Sequence, residues 1–534
     1  MQTQDQRRKV GQLFVVGFHG HHVDANITTL IRDYGIGTVI LFRRNIASAK
    51  QLQALCLNLQ RVARDAQHTH PLFIAIDQEN GLVTRISPPI APQQPGAMAI
   101  AAAAAERNGS IADRSSRVAA ATGEMLSFFG INVNYAPVGD VNSEPLNPVI
   151  GVRSAGDDPS SAAEFATGCI RGLRDHRVVP CIKHFPGHGD TSVDSHHGLP
   201  VVDKSRRQLD QVELVPFRRA AVDERVEMVM TAHIALPQLT GSNLPATLSA
   251  DAMAILRDEW NYQGVVVTDC MEMDGVRATY GTVEGTLMAL KAGVDSVMIC
   301  HTFEAQTAAI DRICQAVESG DLSPERIEAS LSRLCALKER YTSWETALRA
   351  EMLESLDAIN EKAARVADEI YADAITVVRK RSETLPLDPF ARVVVVSPSP
   401  DAFALSGAAD SDALIGELFA SAIERHASPP LHVQFRDELT AEQWQHVEAG
   451  EVVVLATQNA QASQRAIGLE IARRRGALPT VCIATCSPYD FLDDADEMGT
   501  YMTIYEPTRE AVNRAVDVLY GAPARGKLPV KQQT

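Results

Sequence analysis

Eight short apolar runs, each followed by a longer stretch with helical spacing, fill the chain up to residue 299. They are Leu13–Phe18, Thr38–Phe42, Leu72–Asp77, Asn132–Pro137, Val179–His184, Val226–Ile234, Val265–Asp269 and Val294–Ile299. The runs are rich in Val and Ile and mostly apolar on both faces, as strands buried on both sides of a parallel sheet must be. Helical stretches such as Ser48–Ala66, Ser205–Asp223 and Val283–Ala292 separate them. Eight βα units predict an α/β fold of the TIM-like (β/α)8 type. A doubly wound sheet gives the same alternation, and periodicity does not separate the two.

The chain has 534 residues, more than one core holds, because single cores stop growing at about 250–300 residues. Residues 305–378 carry Leu, Ile and Ala at helical spacing, and Pro386 and Pro389 then break the pattern. A second alternation follows: Arg392–Val396, His432–Phe435, Val452–Ala456, Val481–Thr485 and Tyr501–Tyr505, with helical segments Ser411–His426 and Ala460–Arg475 between strands. The expected organisation is a barrel domain over 1–355, a helical linker over 356–385 and a smaller αβα sandwich over 386–534. The second unit has no GxGxxG or P-loop, so a packing or association role suits it better than a nucleotide role.

A net charge of −17 repels phosphate backbones and argues against nucleic-acid partners. No apolar run approaches the roughly 18–20 residues of a membrane span, and the first ten residues lack a signal-peptide pattern. Nine Cys lack CxxC spacing, and most, such as Cys300 and Cys482, sit in apolar runs and read as reduced core thiols. A cytoplasmic protein is expected, and no sequence feature sets an oligomeric state.

Asp77, Lys183, His184, His233, Asp269 and His301 each fall at or just past the C-terminal end of an apolar run. That is the face where an α/β barrel carries its chemistry. The densest polar cluster is KHFPGHGDTSVDSHHGLP, residues 183–200, with four His, two Asp and one Lys shaped by Gly and Pro. Two readings compete. His184, His188, Asp190, Asp194, His196 and His197 could ligate a metal. Alternatively, one His paired with a carboxylate could carry protons. Asp194 and His196 are two apart, share a face in an extended segment, and could hydrogen-bond.

That loop closely resembles the signature of family 3 glycoside hydrolases of the β-N-acetylglucosaminidase branch. So do AIDQENGLVTR at 75–85, NVNYAPVGD at 132–140, NPVIGVRS at 147–154, MTAH at 230–233, PATLS at 245–249 and GVVVTD at 264–269. GKLPV at 526–530 resembles the end of that family's second domain. The resemblance implies a TIM-like barrel followed by an α/β sandwich and an exo-acting, retaining β-N-acetylglucosaminidase. Its substrate would be a chitooligosaccharide or peptidoglycan fragment ending in N-acetylglucosamine. A phosphorylase using the same site is the alternative. The resemblance implies Asp269 as nucleophile, His196 as general acid/base and Asp194 as its partner. Asp77, Arg85, Arg153, Lys183 and His184 would hold the sugar, and no metal or other cofactor is needed. Val152, Asn80 and the Cys270-Met-Glu-Met run depart from the family pattern at the edge of this site.

Overall fold

In the computed structural model, which describes residues 4–531 except 105–108, 193, 197, 382–383, 400–414 and 460–461, eight parallel strands close into a barrel. The strands are β1 (Phe14–Val16), β2 (Thr38–Leu41), β3 (Phe73–Ile76), β4 (Val133–Asn134), β5 (Val179–Phe185), β6 (Met228–Thr231), β7 (Val265–Cys270) and β8 (Ser296–Ile299). Each lies within or overlaps one of the eight apolar runs. Closure is made by β1 against β8, with Phe14 opposite Val297 and Val16 opposite Ile299. This pairing across the whole domain decides between barrel and open sheet. Every residue of β1 to β6 and of β8 is buried, and in β7 only Asp269 is partly exposed.

Several outer helices start on side-chain caps. Ser48 accepts from the Gln51 amide before helix Ala49–Asp65. Asp158 accepts from the Ser161 amide before Pro159–Asp175, where Pro159 occupies the first turn. Both are the chemistry an N-terminus calls for, since the first amides of a helix lack internal partners and proline has none to satisfy.

The second sheet has six strands in the order β11-β10-β12-β13-β14-β9. They are β9 (Thr376–Arg379), β10 (Val393–Pro398), β11 (Leu431–Phe435), β12 (Val452–Thr457), β13 (Thr480–Ala484) and β14 (Tyr501–Thr503). Helices Ile415–Ile423, Ala441–Ala449, Ala462–Arg475 and Arg509–Leu519 alternate with them. The stretch 356–385 is not helical throughout. Helix Ser355–Ala374 gives way to β9, which pairs antiparallel with β14 at the sheet edge. Three of its four residues are only half-buried, so the segment lacks the apolar run that marks a central strand.

The two units are tightly joined. Helix Ser355–Ala374 packs on Ala97–Ala103 and Ile111–Phe128 of the barrel. Arg114 and Asp373 form a buried ion pair at 3.1 Å. The Gly96 amide donates to Glu506 Oε1 at 2.9 Å, and Asn142 Nδ2 donates to the Tyr489 hydroxyl at 3.1 Å. Among the described residues no helix is long and apolar enough to cross a membrane.

Candidate active site

The C-terminal ends of the barrel strands surround a cleft of about 160 Å³, and all of its lining residues lie between Ile40 and His301. Asp77, Arg85, Arg153, Lys183, His184, His196 and Asp269 all line it. Asp194 stands behind His196. Seven side chains spread over nearly 200 positions therefore meet because strand ends converge on one face.

Asp269 is the penultimate residue of β7. Its Oδ1 accepts from the Cys270 amide at 2.7 Å. Burial pushes this carboxyl up, but His184, His233, His196 and the Cys270 amide outweigh burial and hold it below the ordinary Asp value. It is thus an anion facing the cleft. His233 lies outside the lining. Its ring bridges Thr247 at 2.9 Å and the Cys270 carbonyl at 3.0 Å, which fixes the end of β7 beside Asp269.

His196 sits on the loop after β5. Its Nδ1 contacts Asp194 Oδ1 at 2.7 Å, and its backbone amide donates to the same oxygen at 2.8 Å. The His196 side chain is 48% exposed and Asp194 only 8%, so a buried carboxylate grips one edge of an accessible ring. With Nδ1–H donated to Asp194, Nε2 is the nitrogen left to exchange protons. The Asp194 hydrogen bond raises the His196 pKa; burial opposes it, and Asp269 adds to the rise. Gly189 on the same loop presses against the Val141 carbonyl so closely that a Cβ would lie 1.6 Å from its oxygen, and only glycine fits there.

Four of the other predicted residues, Asp77, Arg153, Lys183 and His184, fall in two networks. Lys183 Nζ lies 2.7 Å from Asp77 and 2.7 Å from Glu79, and Arg153 makes a two-pronged contact with Glu79 at 2.8 Å. Asp77–Lys183–Glu79–Arg153 is an alternating chain of charges, mostly buried. Burial opposes ionisation of Glu79, but Arg153 and Lys183 hold its carboxyl far below the usual range. In the second network Asp140, fully buried, takes His184 Nδ1 at 2.7 Å and the backbone amides of His184 and His188 at 3.2 and 2.7 Å. His188 is buried with its two ring nitrogens on Thr191 and Ser195 at 2.9 Å, and burial lowers its pKa to about 4. His184, His188 and His196, the described histidines of the loop, are thus individually committed. The potential metal-ligating group among the described residues is Cys270, Cys300 and His301 instead. His197 lies outside the described residues.

Asp140 and Glu79 both lie in motifs quoted from the sequence, but nothing in those motifs shows their places in these networks. Gln78 went unnoticed. Its buried amide bonds the Arg85 and Ile86 amides at 2.9 and 3.0 Å and shapes the turn that presents Arg85. Asn80, which replaces an expected glycine, has φ 72°, a conformation asparagine tolerates better than most residues.

A (β/α)8 barrel with a carboxylate and a His–Asp pair facing one cleft at its C-terminal strand ends defines a barrel-enzyme class of site. The chain matches "Glycosyl hydrolase family 3 N terminal domain" over residues 6–337, and it belongs to glycosyl hydrolase family 3. It is 36% identical over 388 residues to Beta-hexosaminidase A of Pseudoalteromonas piscicida, covering 69% of this chain and 63% of that protein. A family 3 beta-N-acetylglucosaminidase from Paenibacillus sp. str. FPU-7 superposes with a TM-score of 0.87 at 35% identity, covering 98% of each chain. A fungal multi-domain GH3 beta-N-acetylglucosaminidase gives 0.90 at 34% identity, covering 98% of this chain and 60% of that one.

Proposed function

We propose that the protein is an exo-acting, retaining β-N-acetylglucosaminidase that removes the terminal non-reducing sugar from N-acetylglucosamine-ended oligosaccharides, chitooligosaccharides or peptidoglycan fragments. The observation that carries this is the His196 ring, gripped through Nδ1 by Asp194 at 2.7 Å, in one cleft with the ionised Asp269. A retaining glycosidase needs such an anionic oxygen and a proton donor on opposite sides of the scissile bond. Its similarity to the Paenibacillus enzyme along 98% of both chains supports the sugar assignment.

Asp269 attacks the anomeric carbon while His196 Nε2 gives its proton to the departing oxygen, and a glycosyl ester forms on Asp269. Water then attacks the same carbon and passes a proton to Nε2, which frees Asp269 and leaves the β configuration. Asp194 fixes the tautomer and stabilises the imidazolium. Asp77, Arg85, Arg153, Lys183 and His184 hold the sugar. Asp77, Arg153, Lys183 and His184 are held by the two charge networks, which pre-set these walls before substrate arrives. Lys183 and Arg153 spend their charge on Asp77 and Glu79, which favours hydrolysis over capture of a phosphate acceptor. All nine cysteines are free thiols, eight of them buried, and this suits a reducing compartment such as the cytoplasm.

Chitobiose turnover in phosphate buffer, followed by NMR, tests the reading. The β-anomer of N-acetylglucosamine should appear first. Sugar 1-phosphate as the main product would replace hydrolase with phosphorylase, and no turnover of any N-acetylglucosaminide would overturn the reading.

A further inference from the structure

Cys270 closes β7, and Cys300 directly follows β8. The two strands are neighbours, with Cys270 opposite Met298. Cys300 is two residues beyond Met298 and so points to the same side. His301 comes next, exposed at the rim, with its ring 5.8 Å from that of Phe42. One ligand atom each from Cys270, Cys300 and His301 lies within 4.8 Å of the others. Glu272 borders the cluster. Its Oε2 is 3.9 Å from Cys270 Sγ and accepts from the His301 amide at 2.7 Å, while Oε1 accepts from the Thr302 amide at 3.1 Å.

We propose that Cys270, Cys300 and His301, completed by Glu272, form a site for a thiophilic divalent cation, Zn²⁺ or Cd²⁺, whose binding shuts the catalytic cleft. Two thiolates and an imidazole are soft donors that select zinc or cadmium over magnesium or calcium. Metal–sulfur and metal–nitrogen bonds of about 2.3 and 2.0–2.1 Å place tetrahedral donors roughly 3.5–3.8 Å apart, so side-chain rotations within the existing cluster bring the ligands to bonding distance. Two thiolates balance the cation's charge, and a Glu272 carboxylate oxygen, 3.9 Å from Cys270 Sγ, is the fourth ligand.

Inhibition follows from position. Cys270 is the residue after Asp269, and Cys270, Cys300 and His301 all line the cleft. A bound cation would draw electron density from the neighbouring carboxylate and pull His301 inward across the sugar's path. The inhibitory half rests on the glycosidase reading, and the binding half does not.

The test uses the full chain, reduced and stripped with EDTA, and titrated with CdCl₂. The expected result is an ultraviolet cadmium–thiolate charge-transfer band that saturates at one equivalent. Turnover of an aryl N-acetylglucosaminide should fall in parallel and return on adding EDTA. Cys300→Ser should halve the band or abolish it. Cys300→Ser and His301→Ala should each raise the half-inhibiting cadmium concentration by at least about tenfold, judged against each variant's own metal-free rate. His301 is exposed, so His301→Ala keeps the test decisive if the buried Cys300 variant fails to fold. Absence of the band at stoichiometric cadmium would overturn the site. A band without inhibition would overturn the regulatory half. Equal cadmium sensitivity of wild type and both variants would place the inhibiting ion elsewhere and refute the proposal.

Discussion

Replacing Asp194 by Asn isolates the charge behind the His196 ring. The variant keeps the side-chain shape and an oxygen for the His196 amide, which donates to Asp194 Oδ1 at 2.8 Å. It removes the negative charge that meets Nδ1 at 2.7 Å. A hydrogen bond to a charged group contributes about 1.5–3 kcal/mol. The ring is half-exposed, so solvent screens part of it, and the lower end applies: about 1.5 kcal/mol, or roughly tenfold in rate. That loss should appear in kcat/KM for chitobiose, whose sugar leaving group needs a proton, and should nearly vanish for a nitrophenyl glycoside. The pH profile should move as well. His196 acts as an acid only while protonated, and its pKa is raised first by Asp194. Without that charge the alkaline limb of kcat/KM shifts to lower pH, while the acidic limb, set by Asp269, stays. Equal loss on both substrates with an unmoved alkaline limb would refute the pairing as a proton-transfer device.

Glu79→Gln leaves Arg153 and Lys183 partly uncompensated in a buried setting, so chemical denaturation should show a loss of about 3–5 kcal/mol; a loss under 1 kcal/mol would mean the network is solvated. Glu506, buried between the two units, has its pKa pushed by burial to about 8. Its folded-state value lies above the unfolded one, so its contribution is complete below the ordinary Glu range and is lost as pH rises through about 8. Thermal melts should therefore fall across that window in wild type and flatten in Glu506→Gln, and an unchanged slope would show that another group is responsible. Prolonged dialysis against EDTA should leave aryl-glycoside turnover at or above its starting rate, and a loss restored by zinc would favour a metallohydrolase.

Strands were readable because β1 to β8 are buried on both faces, which writes a continuous apolar run into the sequence. Closure was not, since Phe14 meets Val297 and no local pattern records that pairing. β9 escaped because an edge strand with three of its four residues half-buried carries little periodicity. Around the cleft, strand-end residues such as Asp77, Lys183 and Asp269 were visible from their position after apolar runs. Asp140 and Glu79 act by pairing across 44 and 74 positions, so their roles appear only when strands are neighbours. Cys270 and Cys300 read correctly as buried thiols, but their convergence with His301 depends on the β7–β8 register.

The most direct measurement of the central claim is covalent trapping of the nucleophile. A slow N-acetylglucosaminyl inactivator with an activated leaving group should accumulate as one glycosyl adduct per chain in intact-mass spectra. Peptide mapping should place that adduct on Asp269, with Asp269→Ala leaving no adduct. An adduct on Glu79 or another carboxylate, or release of the α-anomer as first product with no adduct at all, would contradict the account.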